Sequence, residues 1–436
     1  MRQPAARLLA YAGPGIPIAA MGLPLVAFLP PYYAGELGLN LAAVGLVFFL
    51  VRALDVPFDP LVGHWADNTR TRLGRFKPWL IGGGLAAFVA TALVFFPPEG
   101  VGTAFLFLTL LALYAGQSCI NVPHTSWGAT ISSDYHERSR VFSFWQGGHL
   151  VGLVLVLLLP AILDGVLGED APGAVQAMGI FILVSLPVAI LCAVIFVPRS
   201  NNRVDHPKIG WQELKLFFGQ GELRTLLIVD ILFSLGAGSL GALLRFFLEQ
   251  SRGFTDTGSS LMLLVFFVSG LAALPLWLAL ARRIGKARTT GAACLYHMTL
   301  HVAAFPFLSG DNVGLGIVLM ALAGISFAAP TFLLRSILAD FNDAAKEKGA
   351  NDRIGLLNAV LTTAQKLGYA VPVGVLLPLL DLAGFNAEPG AQNTPESLFW
   401  LETVWFCVIP VTLLPAALFM VFLKSDRLRH AASRAA

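Results

Sequence analysis

Residues 55–79 read DVPFDPLVGHWADNTRTRLGRFKPW, and this stretch carries most of the information about the fold and the candidate site. Two acids, Asp55 and Asp59, lie inside an apolar segment, and a loop rich in arginine, lysine and glycine follows at once. An acid inside a long apolar segment is costly, so it marks a position that the chain needs. A basic loop directly after such a segment indicates on which side of a membrane the loop lies.

Composition places the whole chain in a membrane. Its 436 residues are 56% hydrophobic and only 13% charged, whereas a soluble domain carries about 25% charged residues. So few charges cannot cover a water-facing surface, which predicts an integral multi-pass membrane protein. The four cysteines lie in apolar segments and are typical of buried thiols, not of a disulfide framework or a metal site. No cleavable signal peptide is expected.

Twelve stretches approach the roughly 20 apolar residues that cross a bilayer. The longest polar break, residues 198–223, divides them into six and six. We therefore predict an all-α membrane protein with twelve transmembrane helices in two six-helix halves. The predicted domains are an N-terminal half over 1–197, a cytoplasmic central loop over 198–223 and a C-terminal half with a cytoplasmic tail over 224–436. The predicted spans are 14–34, 42–65, 78–97, 103–131, 141–164, 175–197, 224–247, 259–281, 289–308, 313–339, 353–380 and 398–424.

Orientation follows from the basic residues, which are concentrated in alternate loops. The loops on the opposite side offer only Arg252. Both termini and the central loop are therefore predicted to be cytoplasmic, in a plasma (inner) membrane. The basic residues of the predicted cytoplasmic loops include Arg70, Arg72, Arg75, Lys77, Arg138, Arg140, Arg199, Arg203, Arg282, Arg283, Lys286, Arg288, Lys346 and Lys348.

Asp55 and Asp59 form the strongest candidate site. A spacing of four puts both carboxylates on one helix face, with Cβ atoms ~5–6 Å apart. Two close carboxylates in a low dielectric share a proton or hold a cation, and their hard oxygens suit Na⁺ or H⁺ and not a soft transition metal. Pro57 removes a backbone hydrogen bond and frees a carbonyl nearby. The alternative is that the pair only forms salt bridges, to Arg52 one turn before and to Lys366.

Lys366 lies midway along span 11 in the segment TTAQKLGYA. An ammonium group at that depth needs an acid, and Asp55 or Asp59 is the simplest partner. A cation that replaces this contact would couple ion binding to the packing of the two halves. The alternative is a lysine that extends to the membrane interface. The other charges noted within spans, Asp230, Arg245 and Glu402, have no evident partner in the sequence and receive no role.

Polar and aromatic side chains in spans 4 and 5 form a candidate substrate site. In span 4, steps of three and four residues place Ser118, Asn121 and Thr125 on one helix face. Trp127 either stacks on a sugar ring or packs at the boundary, and His149 is either a proton relay or a hydrogen-bonded structural residue. The predicted substrate-binding residues are Asn121, Thr125, Trp127, Trp145, Gln146 and His149.

The segment RALDVPFDPLVGHWADNTRTRLGRFKPWL, residues 52–80, strongly resembles the span 2 and loop signature of the glycoside-pentoside-hexuronide:cation symporters, the melibiose-permease-like family of the major facilitator superfamily. NVPHTSWGATISSDYHERSR, residues 121–140, is similar to the family's span 4 and loop motif. ILADFNDAAKEK and AQKLGYA are similar to segments after span 10 and in span 11. The resemblance covers close to the whole chain.

The resemblance implies a twelve-helix major facilitator fold with alternating access, and symport of a solute with Na⁺, Li⁺ or H⁺. By position, Asp55 and Asp59 match the family's cation-binding carboxylates. Ser118 matches a hydroxyl position near them, and Lys366 matches the lysine beside them. The loop residues that the resemblance implies as a latch of the outward-facing state are Asp67, Arg70, Gly74 and Arg75.

The sugar-binding positions depart from the family pattern. Two acids and an arginine hold the sugar in the melibiose-permease-like family, and Ala19, Asn121 and Gln146 stand there in this chain. Thr125 stands where an aromatic residue stacks on the sugar. A site built on buried hydrogen bonds rejects analogues sharply, so a galactoside held in the same manner is not expected. Phe58 replaces an amide beside the cation site, which weakens the case for Na⁺ and favours H⁺.

Three functions compete at this stage. The first is cation-coupled symport of a small solute such as a sugar, glycoside or uronate. The second is a cation-coupled carrier of an amphipathic substrate such as a lysolipid, whose phosphate needs an arginine or lysine in the cavity, with Arg245 as the candidate. The third is a non-transporting membrane receptor or assembly factor, and the short loops argue against it.

The expected partners are a small-molecule solute, a coupling cation and the lipid bilayer. No nucleic acid, cofactor or obligate protein partner is expected, and the protein is expected to be a monomer. The sequence has no enzyme motif and no P-loop, so an enzyme is not predicted. No metal site is predicted beyond a Na⁺ at Asp55 and Asp59.

Overall fold

The structure, a computed structural model, describes residues 4–131, 135–167, 173–199, 221–347, 354–388 and 390–422. These residues form twelve helical segments, one at each predicted span. In chain order the segments are α1 (Ala5–Glu36), α2 (Leu41–Asn68), α3 (Lys77–Phe95), α4 (Thr103–Ile131), α5 (Tyr135–Leu167), α6 (Ala174–Phe196), α7 (Gly221–Ser251), α8 (Asp256–Ala272 and Leu274–Ile284), α9 (Lys286–Ala304), α10 (Val313–Gly324 and Ala329–Glu347), α11 (Ile354–Leu382) and α12 (Pro395–Phe422).

Some of the sequence predictions fall outside the described residues. The central loop from 200 to 220, with Arg203, is one of them, and Lys348 is another. The side chains of Asp67, Arg138, Arg140 and Lys346 are also outside the described part. The predicted domain boundaries around this loop stay a prediction.

Several segments are less regular than a continuous span. α1 contains π-helical turns at Pro24–Phe28 and Tyr32–Glu36, and α7 ends in one at Phe247–Ser251. α8 bends by 41° at its break. In α1 the cause is local, because each proline lacks the N–H that an α-helix uses and the neighbouring turn rearranges.

Two compact units divide the described chain. The first comprises residues 1–205 and 373–392, which include α1–α6 and the last part of α11. The second comprises residues 206–372 and 393–436, which include α7–α10, the first part of α11 and α12. Within the first unit α2 packs against α4, and α4 packs against α3. This packing brings the acids of α2 to the polar face of α4.

α2 is capped at its start, and its backbone hydrogen bonds are interrupted near its middle. The Asn40 side chain accepts a hydrogen bond from the Ala43 N–H at 2.9 Å, which is an N-cap. Its amide nitrogen donates to both carboxylate oxygens of Asp381, at 3.0 and 3.1 Å. The helix continues through Pro57 and Pro60. Each proline deprives the carbonyl four residues before it of its helical donor.

α9 differs from its neighbours in polarity. Nine helices of the described residues are long and apolar enough to cross a membrane, and the bent α8 makes a tenth, but α9 does not qualify by composition. Two of its histidines are buried. His297 Nδ1 lies 3.2 Å from the Ser326 hydroxyl, and His301 Nε2 lies 3.0 Å from the carbonyl oxygen of Trp405 on α12. Helix packing therefore covers the polar face of α9.

Candidate functional site

The two acids of α2 meet a single hydroxyl of α4. Ser118 Oγ lies 2.8 Å from Asp55 Oδ1 and 2.6 Å from Asp59 Oδ1. Asp55 and Ser118 are each only 4% exposed, and Asp59 is half-buried. The structure thus brings together the three residues that the sequence nominated for cation binding.

The Ser118 hydroxyl has one proton fewer than its two carboxylate contacts require. A serine hydroxyl has one proton to donate, yet two carboxylate oxygens lie within hydrogen-bond distance of it. One of the two contacts therefore needs either a proton on a carboxyl group or a cation that all three oxygens surround. Because close carboxylates in a low dielectric repel each other, either species lowers the energy of the group. Chemically, the arrangement can hold one proton or one small hard cation.

Arg52 supplies a positive charge on the same helix. Its Nη1 lies 3.3 Å from Asp55 Oδ2, so the predicted ion pair is present. The guanidinium carbon also lies 4.9 Å from the centre of the Tyr114 ring on α4, a cation–π arrangement. Arg52, Asp55 and Asp59 together carry one more negative than positive charge. The salt bridge of Arg52 therefore balances one of the two acids.

Close packing against α3 fixes the position of Ser118. A Cβ atom added to Gly116 on α4 would lie 2.7 Å from the backbone nitrogen of Ala87. A Cβ atom on Gly83 of α3 would lie 2.7 Å from the Cβ of Cys119. Only glycine allows the two backbones to approach so closely. The hydroxyl therefore stands on a rigid helix pair.

The loop after α2 is tied to α6 in the same unit. Arg199 donates to the carbonyl of Arg72 at 3.3 Å, and the Lys77 ammonium donates to the carbonyl of Val194 at 2.7 Å. Gly74 adopts a φ of 92°, a conformation that favours glycine. This network gives the basic loop a defined shape.

The predicted latch residues occupy different environments within that loop. Arg75 is 4% exposed, and its guanidinium carbon lies 5.2 Å from the centre of the Phe76 ring. Arg70 is exposed. The Asp67 side chain is outside the described part of the chain.

The substrate residues predicted on α4 separate into two environments. Asn121 and Thr125 are half-buried, and the Thr125 hydroxyl donates to the carbonyl of Asn121 at 2.8 Å. Trp127 is fully buried, and its indole N–H donates to the carbonyl of Pro198 at 3.1 Å. Its burial and this hydrogen bond favour the packing alternative for Trp127 over stacking on a sugar.

The residues predicted on α5 form a partly open group. Gln146 is exposed, whereas Trp145 and His149 are half-buried with ring centres 4.2 Å apart. His149 Nδ1 lies 3.2 Å from the Trp145 carbonyl, which fits the structural alternative for His149. A carbonyl only accepts hydrogen bonds, so Nδ1 carries the proton in that contact.

Sequence reasoning missed a buried pair that joins α1 to α4. The rings of Tyr11 and His124 stack with centres 4.4 Å apart. The Tyr11 hydroxyl donates to the His124 carbonyl at 3.1 Å, and His124 Nε2 donates to the Tyr11 carbonyl at 2.8 Å. The motif NVPHTSW contains the histidine, but no local signal in it indicates a partner more than a hundred residues away.

In the second unit, Lys366 is half-buried on α11. One turn of the same helix carries Thr362 and Gln365, and both accept hydrogen bonds from Arg335 of α10. Arg335 was absent from the charges predicted within spans. It lies four residues before the predicted end of span 10, where an arginine ordinarily extends to the interface.

Two charges that lacked a partner in the sequence have partners in the structure. Arg245 forms ion pairs with Glu249 and Asp256. Glu402 accepts a hydrogen bond from Ser251 and lies 3.4 Å from Arg252. The signal for Arg245 was available, because Glu249 follows it by four residues and such pairs are neighbours on a helix.

Comparison with known proteins covers nearly the whole chain. Residues 10–427 match a protein family described as MFS/sugar transport protein. The chain is 25% identical over 391 residues to the glucuronide carrier protein homolog of Escherichia coli (strain K12), covering 86% of this chain and 83% of that protein. It is 24% identical over 442 residues to the sodium-dependent lysophosphatidylcholine symporter 1 of Xenopus tropicalis, and the match covers 91% of this chain and 81% of that protein.

A solved structure gives an independent comparison of the fold. The nucleoside transporter NupG superposes with a TM-score of 0.68, and the match covers 96% of this chain and 100% of that one. The identity is 13%, so this likeness concerns the fold alone.

Proposed function

The chain belongs to the MFS/sugar transport protein family of the major facilitator superfamily, and from that premise we propose that it couples the movement of a small solute to a cation by alternating access. The family resemblance and the major facilitator fold predicted from the sequence are confirmed. The protein is an integral multi-pass membrane transporter. The carriers and symporters that this protein resembles give no support to the alternative of a receptor or assembly factor.

One observation supports cation coupling most directly. Ser118 has one proton for two carboxylate oxygens at 2.8 and 2.6 Å. We assign Asp55, Asp59 and Ser118 as ligands of the coupling ion, which is Na⁺ or H⁺, with Li⁺ as a Na⁺ substitute. Arg52 and Lys366 are the proposed charge partners. No other cofactor enters this proposal.

For the solute, we propose a sugar, glycoside or uronate. The family description and the glucuronide carrier homolog support this class. A lysolipid is the second candidate, and the lysophosphatidylcholine symporter supports it. Arg245, the arginine considered for a phosphate group, is only 4% exposed and pairs with Glu249 and Asp256, which argues against that role. The candidate contacts are Asn121, Thr125, Trp145, Gln146 and His149.

We further propose that both termini are cytoplasmic in a plasma membrane, as the basic loops favour. The loop of Asp67, Arg70, Gly74 and Arg75 then lies on the cytoplasmic side, where it acts as the latch of the outward-facing state. The hydrogen bonds from Lys77 and Arg199 that shape this loop are consistent with a latch of fixed form.

The experiment that tests cation coupling requires no knowledge of the solute. The purified protein in detergent is heated in NaCl, LiCl or KCl at constant ionic strength and at several pH values, and the thermal midpoint is recorded. A ligand that binds the folded state stabilises it by about 2.7 kcal/mol at a hundred times its Kd. We expect either a saturable rise with Na⁺ and Li⁺, or a pH-dependent midpoint in the case of H⁺. Asp59→Asn abolishes whichever response occurs.

Asp311→Asn provides the control, because Asp311 is an exposed acid in the loop between α9 and α10. This variant is expected to respond to ions and pH as the wild type does. If Asp59→Asn also responds as the wild type does, the acid pair is structural and cation coupling at this site is wrong.

A further inference from the structure

A second group of buried polar residues lies within the second unit and takes no part in the proposed ion site. It consists of Asp230 and Ser234 on α7, Arg335 on α10, and Thr362 and Gln365 on α11, and we refer to it as the polar cluster. Asp230 is 5% exposed and Ser234 is fully buried. Arg335, Thr362 and Gln365 are half-buried.

Helix packing brings these five residues together. Ser234 follows Asp230 by one helical turn, so both lie on one face of α7. A Cβ atom on Gly368 of α11 would lie 2.4 Å from the Cβ of Ser234, so α7 and α11 are in close contact at that point. Gln365 lies one turn before Gly368. Arg335 Nη2 donates to Gln365 Oε1 at 3.1 Å and reaches a second acceptor, a threonine hydroxyl, at 3.4 Å.

The cluster has unused hydrogen-bonding capacity of both kinds. Asp230 Oδ2 and Ser234 Oγ are buried, and neither has a hydrogen-bond partner within the described part of the chain. Buried polar atoms are normally paired with protein or water, so an acid and a hydroxyl without protein partners on one helix face leave room for hydrogen bonds from a water or a bound molecule. Arg335 has five N–H donors, and its two hydrogen bonds among the described residues both come from Nη2. The half-buried guanidinium thus has donors to spare beside a buried acceptor.

The charges of Asp230 and Arg335 indicate whether the cluster suits a charged or a neutral ligand. Arg335 acts electrostatically on Asp230, and the cluster of five residues carries one positive and one negative charge. An anion gains little from such a group, because Asp230 repels what Arg335 attracts. A hydroxyl group both donates and accepts, so it satisfies an acid and a guanidinium together.

We propose that the polar cluster binds an uncharged, hydroxyl-rich solute such as a neutral sugar or glycoside. Solute hydroxyls donate to Asp230 and pair with Ser234, and they accept from Arg335, while Gln365 and Thr362 form the rim. On binding, Arg335 exchanges its hydrogen bond to Gln365 for one to the solute. The inference rests on the proposed function and narrows its solute class, against a uronate and against a lysolipid.

The test follows the thermal midpoint with defined probes: a panel of neutral methyl glycosides and polyols, glucuronate, and lysophosphatidylcholine. We expect at least one neutral glycoside to stabilise the wild type, and neither glucuronate nor lysophosphatidylcholine to do so. Arg335→Gln and Asp230→Asn each raise the glycoside concentration for half the effect by about tenfold or more, as expected for the loss of a charged hydrogen bond. The matched control is Ser239→Ala, since Ser239 is also buried on α7 but donates to the Leu235 carbonyl.

Three outcomes overturn the inference. They are a panel in which no neutral glycoside stabilises the protein, a glycoside response that both variants retain, and stabilisation by glucuronate or lysophosphatidylcholine alone. The ion and pH response, measured on the same samples, separates this inference from the proposed function. Asp230→Asn and Arg335→Gln retain that response, which also shows that they are folded. Asp59→Asn is expected to lose it. A glycoside response without any ion response rejects the coupling and keeps the cluster.

Discussion

The acid pair of α2 and the polar cluster of α7, α10 and α11 use the same residue types and differ in what they lack. At the acid pair a single hydroxyl, that of Ser118, serves both Asp55 and Asp59. The polar cluster is balanced in charge, but Asp230 and Ser234 have atoms without hydrogen-bond partners in the described residues. The contacts at Ser118 call for one more proton or a small cation, and the polar cluster calls for a neutral molecule that donates and accepts. Buried polar sites are therefore informative when charge and hydrogen bonds are counted separately.

The largest effect is expected from Arg52→Gln, which removes the positive partner of Asp55. The Asp55 side chain is 1% exposed, and removing one partner of a buried ion pair costs about 3 kcal/mol or more. We expect a lower thermal midpoint, with part of the loss recovered by a saturating coupling cation or by the double variant Arg52→Gln/Asp55→Asn. Arg70→Gln, at an exposed arginine of the loop after α2, is the control. Equal losses for Arg52→Gln and Arg70→Gln contradict a stabilising role of the Arg52–Asp55 ion pair.

An intermediate effect is expected from Ser118→Ala, which removes the shared hydroxyl and keeps both acids. A hydrogen bond to a charged group contributes about 1.5–3 kcal/mol, so the apparent affinity for the coupling ion should fall by about tenfold or more. The measurement is an ion titration of the thermal midpoint. Thr109→Val is the matched control, because Thr109 is a buried hydroxyl of α4 that donates to the carbonyls of Phe105 and Leu106. Similar affinities for the two variants are evidence against Ser118 as a ligand.

The smallest effect, with the opposite sign, is expected from Ser234→Ala in the absence of solute. Deleting a buried hydroxyl without a partner removes a desolvation penalty, so the empty protein should be as stable as the wild type or more stable, by up to about 1 kcal/mol. Unfolding midpoints measured beside those of Ser239→Ala provide the test. A Ser234→Ala protein that is clearly less stable than the Ser239→Ala protein shows that this hydroxyl already has a partner.

Hydropathy and spacing predicted the helices well, and interruptions within helices poorly. Each predicted span coincides with a helical segment, because a run of about 20 apolar residues has few other folds in a bilayer. The π-helical turns of α1, the 41° bend of α8 and the break in α10 were not predicted. Proline marks where a helix loses a hydrogen bond, but whether the backbone then forms a π-turn, bends or breaks depends on packing against neighbouring helices, which the sequence of one helix does not record.

The candidate site was predictable where a single helix defines it. Asp55 and Asp59 lie four residues apart on α2, so their proximity follows from helix geometry. The contact of Ser118 with both acids came from the resemblance and not from spacing. The Arg335 contacts depend on the packing of α10 against α11, and buried Trp127 donates to the carbonyl of Pro198, which is 71 residues away. Tertiary contacts of this kind have no signature in the local sequence.

The polarity of α9 has a consequence for how the protein is made. The composition of α9 falls short of that of an ordinary membrane span, and its buried His301 finds its acceptor on Trp405, which is 104 residues further along the chain. A chain emerging from the ribosome therefore presents α9 before α12 exists. Before α12 is made, the helices against which α9 packs are α8 and α10. Assembly of the second unit is consequently completed only when its last helix has been synthesised.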